Sequence, residues 1–218
     1  VKKKTSSTIK KKISLYGGVK MNDIATKIFK YRSYTPIPFV ILMLIFENAT
    51  ITSLLIGFVI ALFGELIRLW GVSWAGSETR TTGGVGGTYL VISGPFAHVR
   101  NPLYVGNILM YLGLGIMSMS LFPYLQIVAI LFFIMQYQFI VKEEEGFLIK
   151  KFGKDYQKFL QNVPRFFPRV TKYIDASIPQ PNYSLNAGLK SETRTLQAFG
   201  IVALLIVIKW YLSSNNIL

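Results

Sequence analysis

Two long uncharged apolar runs, Leu103–Leu121 and Tyr124–Val141, are separated by little more than Pro123. Runs of about this length cross a bilayer as helices. A connection that short makes them antiparallel neighbours, so the chain is expected to fold around a membrane hairpin. Both open ends of the hairpin then lie at one membrane surface. One end is approached through Gly94-Pro95-Phe96-Ala97-His98-Val99-Arg100-Asn101-Pro102-Leu103-Tyr104-Val105-Gly106. The other leaves through Lys142-Glu143-Glu144-Glu145. A cation, an imidazole and two or three carboxylates are thereby brought to one interface.

The remaining apolar runs extend this frame. Pro36–Phe46 and Ile51–Trp70 read as a second hairpin broken at Glu47-Asn48-Ala49-Thr50, and Leu196–Leu212 is a last run. The first and last are short for a bilayer. Asn48-Ala49-Thr50 matches a glycosylation sequon in a loop too short to suit modification. A mean hydropathy of +0.42 together with a formal charge of +14 fits apolar spans flanked by basic ends. A soluble nucleic-acid binder shares the charge but not the long uncharged runs. No cysteine is present, which excludes disulfides, thiolate metal sites and cysteine nucleophiles. One histidine excludes a multi-histidine metal centre. No signal-peptide core with a small-residue cleavage pattern follows the basic N-terminus.

Charge placement tests the layout. The connecting segments 1–34, 47–50, 72–102, 120–123, 142–196 and 213–218 carry 10, 0, 2, 0, 10 and 0 Lys/Arg. Alternate connections are basic and the rest hold no cation. By the positive-inside rule this gives about five transmembrane helices, with the N-terminus and the Arg100 and Glu144 ends cytoplasmic. The expected fold class is all-α, a polytopic membrane helix bundle with a cytoplasmic cofactor pocket. The expected parts are a basic arm over 1–34, a membrane core over 35–169, a linker over 170–195 and a final helix with tail over 196–218. In the arm, Ile24, Ile28 and Tyr31 share a helical face, so an interfacial helix and a flexible tail are both open readings. The segment Glu144–Leu160 is expected to be a separate amphipathic helix with Leu148, Phe152 and Phe159 as its apolar positions.

Each polar feature also has a structural reading. Arg100 and Lys142 suit headgroup anchoring. Glu144 and Glu145 suit the first turn of a helix. Glu65 and Arg68, three apart, suit a pair within a helix. Gly113-Leu114-Gly115 suits close helix packing. The loop Gly83-Gly84-Val85-Gly86-Gly87 reads as mobile. It fails the dinucleotide fingerprint, because Tyr89 stands where the third glycine belongs.

Motifs on both sides of the hairpin resemble a known superfamily. Gly94-Pro95-Phe96 followed by Val99-Arg100-Asn101-Pro102-Leu103-Tyr104-x-Gly106 resembles the Arg-His-Pro-x-Tyr-x-Gly signature of isoprenylcysteine carboxyl methyltransferases and phospholipid N-methyltransferases. Glu144-Glu145-x-x-Leu148-x-x-x-Phe152-Gly153-x-x-Tyr156, with Val163-Pro164-Arg165-Phe166-x-Pro168, is similar to that family's Glu-Glu block and tail. Gly113-x-Gly115 is similar to the Gly-x-Gly element of phosphatidylethanolamine methyltransferases. The resemblance covers about residues 51–169. Asn101 departs from it, since many members carry histidine there.

The resemblance implies an integral-membrane methyltransferase that uses S-adenosylmethionine without a Rossmann fold. His98, Arg100, Asn101, Tyr104, Gly113, Gly115, Glu144 and Glu145 are then the expected cofactor-binding set. Glu144 and Glu145 suit the cofactor's ammonium, and Arg100 or His98 its carboxylate. Arg100, Tyr104 and Glu145 are the expected catalytic residues, Glu145 as base for an amine acceptor. No metal is expected. The acceptor is a membrane lipid or lipidated molecule, with a phospholipid headgroup amine favoured over a prenylcysteine carboxylate. Two other classes remain: an NADPH-dependent membrane reductase, and a non-enzymatic scaffold whose lysines bind anionic lipid.

Overall fold

The computed structural model describes residues 31–76 and 89–217. The basic arm before residue 31 and the Gly83–Gly87 loop lie outside the described residues. The described elements are helical, and no strand occurs among them. Their order is α1 (Ile37–Ile45), α2 (Ile51–Ala75), a short 3-10 turn (Gly94–Ala97), α3 (Pro102–Ser118), α4 (Tyr124–Phe152), α5 (Lys154–Asn162) and α6 (Leu185–Ser214).

Local sequence sets the helix ends. Thr50 caps α2, accepting from the Ser53 amide at 3.1 Å, while Ser53 Oγ accepts from the Thr50 amide at 2.9 Å. Such reciprocal capping is worth about 1 kcal/mol. Pro102 opens α3, where its missing N–H costs nothing. Ser184 caps α6, accepting from the Ala187 amide at 3.3 Å.

Two boundaries differ from the sequence reading. First, α4 does not stop at the end of the apolar run but continues through Glu143–Glu145 to Phe152. Gly146 is accommodated within this stretch, and the helix ends only at Gly153, φ 55°. Glu144 is therefore mid-helix, and only Lys154–Asn162 forms the separate amphipathic helix. Second, the last helix begins at Leu185, so its apolar run Leu196–Leu212 is preceded by a polar first third.

By length and composition α2, α4 and α6 are able to cross a membrane, and α3 is a shorter apolar helix of 17 residues. The expected count of about five treated α1 as a span. At 9 residues α1 is too short for one. It packs through Met43 on a cluster with Leu114, Met117 and Phe199. Lys209 of α6 donates to the carbonyls of Leu44 and Ile45 at the C-terminus of α1, where helix carbonyls lack partners. A cation within an otherwise apolar run is thereby accounted for.

The tightest packing joins α2 to α3. A Cβ on Gly113 would stand 2.4 Å from Ala61 N, and one on Gly64 would stand 2.5 Å from the Gly106 carbonyl. The two backbones touch along Gly57, Ala61 and Gly64 on one side and Gly106 and Gly113 on the other. Without a hydrophobic drive between helices in lipid, such contact is what holds them together. On α6, Gly188 meets Ser73 of α2 in the same way.

Outside the helices, residues 89–101 are clamped by α5 and the segment 163–180. Leu90, Ile92, Tyr156, Phe159, Val163, Tyr173 and Ile178 form their core, with Leu148 and Phe152 packed against it. Gln180 locks the edge, donating to the Leu90 carbonyl at 2.9 Å and accepting from the Ile92 amide at 2.8 Å.

Candidate functional site

The site forms where α3 begins, where the last turns of α4 pass, and where the segment after α5 returns. Tyr104 stands in the first turn of α3 and donates to Glu144 Oε1 of α4 at 2.8 Å. One residue along α4, Glu145 is 8% exposed. Arg100 Nη2 approaches its Oε1 at 3.1 Å, and Arg165 grips both its oxygens, Nε at 3.1 Å from Oε1 and Nη2 against Oε2. The adjacent carboxylates are thus used differently. Glu145 is clamped between two guanidiniums, while Glu144 faces a phenol.

Arg100 is further committed. Its Nη1 donates to the carbonyls of Leu160 at 2.8 Å and Val163 at 2.6 Å. Its backbone amide donates to the Pro164 carbonyl at 2.9 Å. Asn101 Nδ2 donates to the Arg165 carbonyl at 3.1 Å. His98 Nδ1 lies 2.9 Å from the Arg169 carbonyl, to which it donates when that nitrogen carries the proton. Three expected site residues therefore fasten the returning segment to the entrance of α3. Arg165 is the more open guanidinium, with 32% of its side chain exposed, against 11% for Arg100. Its Nη1 donates to Gln138 at 2.9 Å.

The expected glycines lie elsewhere. Gly113 is nine residues beyond Tyr104, about 14 Å along the helix axis at 1.5 Å per residue. Its free side is filled by the α2 backbone. Gly115 faces Gln126 and Met43 at the opposite end of the hairpin. In the structure both face packed neighbours, as suits glycine in a membrane helix.

A second polar group adjoins the site within the bundle. Tyr104 stacks on Tyr137, with ring centroids 4.5 Å apart. Tyr137 lies beside Asn107, and Asn107 Oδ1 accepts from Arg68 Nη1 at 2.6 Å. Arg68 lies 3.5 Å from Glu65, the pair expected from their spacing, and also binds Glu192 of α6. Contacts thus run from Glu144 to Glu192. Glu192, Asn107 and Tyr137 escape sequence reading. The only signal for Glu192 is a lone acid among cations ahead of an apolar run. Among the described residues no group of three His, Cys, Asp or Glu is placed to hold a metal ion.

With this geometry in view, the comparisons show what the core is similar to. Residues 52–155 match the family described as phospholipid methyltransferase. This match covers both ends of the hairpin, and the resemblance to the membrane methyltransferase superfamily holds for that stretch. The chain is similar to the cobalt-zinc-cadmium resistance protein CzcN of Cupriavidus metallidurans, 35% identical over 49% of this chain and 44% of that protein. It is also similar to the nickel-cobalt-cadmium resistance protein NccN of Alcaligenes xylosoxydans xylosoxydans, 32% identical over 41% of each. The chain spans less than half the length of these curated relatives. No solved structure matches it.

Proposed function

We propose that the protein is an S-adenosylmethionine-dependent methyltransferase whose acceptor is a membrane lipid, by preference a phospholipid headgroup amine. The observation that carries this reading is the division of labour between Glu144 and Glu145, at the spot where both motif halves of the matched core meet.

The residues present fit the cofactor's chemistry. Glu144, half-buried beside the Tyr104 phenol, suits an α-ammonium. Arg165 is the guanidinium suited to the α-carboxylate, because it is the more exposed of the two and its Nη1 is held only by Gln138, whereas both Nη atoms of Arg100 are buried on Leu160, Val163 and Glu145. The Tyr104–Tyr137 stack offers an aromatic face for adenine or for the sulfonium. When bound, the cofactor supplies an electrophilic methyl group. The chain's own part is alignment, since in-line displacement needs no covalent enzyme intermediate.

An ammonium acceptor must lose its proton before it attacks. Glu145 is the expected base, but two guanidiniums occupy its oxygens. Because Glu144 is taken by the cofactor's ammonium in this reading, the acceptor's proton leaves to water at the membrane surface. Arg100 becomes a positioning residue rather than a catalytic one. The ten Lys and Arg of residues 142–196, which adjoin the site, support a cytoplasmic orientation for it.

The relatives' names suggest a second setting, in which the activity serves tolerance of divalent metals. In this reading the protein acts through membrane lipid composition and not by coordinating the metal.

The test is calorimetric titration of detergent-purified protein with S-adenosylmethionine and, separately, with NADPH. Saturable binding of the first, lost in Glu144→Gln at unchanged thermal stability, supports the proposal. Radiolabelled methyl transfer into lipid extracts then separates headgroup amines from prenylcysteine acceptors. Binding of NADPH alone moves the protein to the reductase class. Binding of neither leaves the scaffold.

A further inference from the structure

The segment after α5 carries apolar side chains on two opposite sides. Val163 and Tyr173 point inward to the core beneath residues 89–101. Phe167, Val170 and Ile174 point outward, 87%, 95% and 70% exposed. This is not a loose tail. The amide of Arg169 donates to the His98 carbonyl at 3.0 Å, and that of Tyr173 to the Ala97 carbonyl at 2.9 Å. The segment is a strap pinned along the entrance of α3.

Two contacts fix the depth of this strap relative to the bundle. On one side, Arg165 reaches Gln138, and Phe166 packs on the cluster of Phe133, Tyr137 and Ile140, all within the apolar run of α4. On the other side, the His98 ring beside Arg169 lies 6.5 Å from the ring of Trp70 on α2. Tryptophan near a span end is typical of the headgroup level. The strap therefore runs at the depth where the apolar runs of α2 and α4 end. Side chains that leave the protein at that depth meet the boundary between headgroups and acyl chains. Phe139 and Met135 are likewise exposed on α4 at this end of its apolar run. Lys172 is exposed on the strap and Arg169 is half-buried, which adds attraction for anionic headgroups.

We propose that residues 165–174 form a membrane-inserted strap, with Phe167, Val170 and Ile174 seated in the headgroup and upper acyl region of the bilayer that holds the helices. The partner is the lipid surface itself. Apolar burial supplies the main drive, and the cations add an electrostatic term. Because Arg165 at the head of this strap grips Glu145, lipid contact also steadies the clamp at the site.

The chain contains no cysteine, so single-cysteine variants need no background mutations. Phe167→Cys, Val170→Cys and Ile174→Cys, with Gln157→Cys on α5 as a water-exposed control, are each labelled with a nitroxide. The full-length proteins are reconstituted into phosphatidylcholine–phosphatidylglycerol vesicles. Accessibility to oxygen, which partitions into lipid, is compared with accessibility to a polar nickel chelate. Oxygen is expected to dominate at all three strap positions and the chelate at Gln157. Dominance of the chelate on the strap overturns the proposal in favour of water. Exclusion of both reagents overturns it in favour of a protein cover, whether residues 1–30, residues 77–88 or a second copy. Matching melting temperatures for all four variants exclude misfolding as the cause. The readout uses no cofactor, so it stands or falls independently of the methyltransferase reading.

Discussion

Arg68 Nη2 of α2 donates to both carboxylate oxygens of Glu192 of α6, each at 2.8 Å. Glu192 is fully buried and 124 residues away in the chain. It lies outside the matched stretch 52–155, so the last helix is tied into the core by an ion pair that the family pattern does not contain.

Removing one partner of a buried pair leaves the other charge uncompensated, at a cost of about 3–5 kcal/mol. Glu192→Ala is therefore expected to lower the melting temperature in detergent strongly. Glu192→Gln, which keeps hydrogen-bond acceptance, is expected to lower it less. Equal melting of Glu192→Ala and the parent protein contradicts the ion pair as a structural tie.

The glycine contact between α2 and α3 leaves no room for a side chain. A Cβ at Gly113 falls 2.4 Å from Ala61 N and one at Gly64 falls 2.5 Å from the Gly106 carbonyl. Gly113→Ala and Gly64→Ala each force the helices apart, with overpacking worth about 1–3 kcal/mol. Gly146 meets nothing within 4 Å, so Gly146→Ala serves as the control with no clash to relieve. Thermal unfolding of the three variants side by side checks this order.

The two adjacent carboxylates are expected to fail differently. Glu145→Gln leaves Arg100 and Arg165 with a weakened partner, so it loosens residues 163–169 as well as any cofactor binding. Glu144→Gln is expected to abolish cofactor binding while leaving that segment in place. Hydrogen exchange over residues 163–169, measured beside the titration, distinguishes them. Identical exchange in both variants contradicts the division.

Asp175 offers a pH-dependent contact outside the helices. Its hydrogen bonds to Lys158, and then to Ser177, hold its carboxyl well below the ordinary carboxylate range. Lys158 Nζ lies 2.7 Å from Asp175 Oδ2, and Ser177 Oγ donates to Oδ1 at 2.6 Å. The folded-state pKa is depressed, so the stabilisation is fully present above the unfolded value of about 3.9. It is lost as pH falls below that value through the folded one. Amide protection around residues 173–178 is expected to be flat above pH ~4 and to weaken below it. In Asp175→Asn this acid-dependent step disappears.

Much of the scaffold was legible because it rests on local properties. Uncharged runs, Pro123 and the alternation of basic and cation-free connections announced a membrane hairpin and its shared end. The two motif halves pointed to Arg100, Tyr104, Glu144 and Glu145, and the structure brings all four together. Helix ends that depend on one breaker were less legible. The chain keeps helical hydrogen bonding through three consecutive glutamates until Gly153, because charge alone does not interrupt a helix.

What the sequence alone determined is the class: helices in a membrane, with a polar site where one hairpin opens. Periodicity, run length and charge are properties of neighbouring residues, and they survive without knowledge of contacts. Only the tertiary structure decided which partner each charge takes. It gave Glu145 two guanidiniums and Glu144 a phenol, turned Arg100 inward to carbonyls, assigned Gly113 to the α2 backbone and set Glu192 against Arg68. Those choices depend on distances of a few ångströms between segments as much as 124 residues apart. Electrostatic and packing energies change steeply over such distances, and no local pattern encodes them.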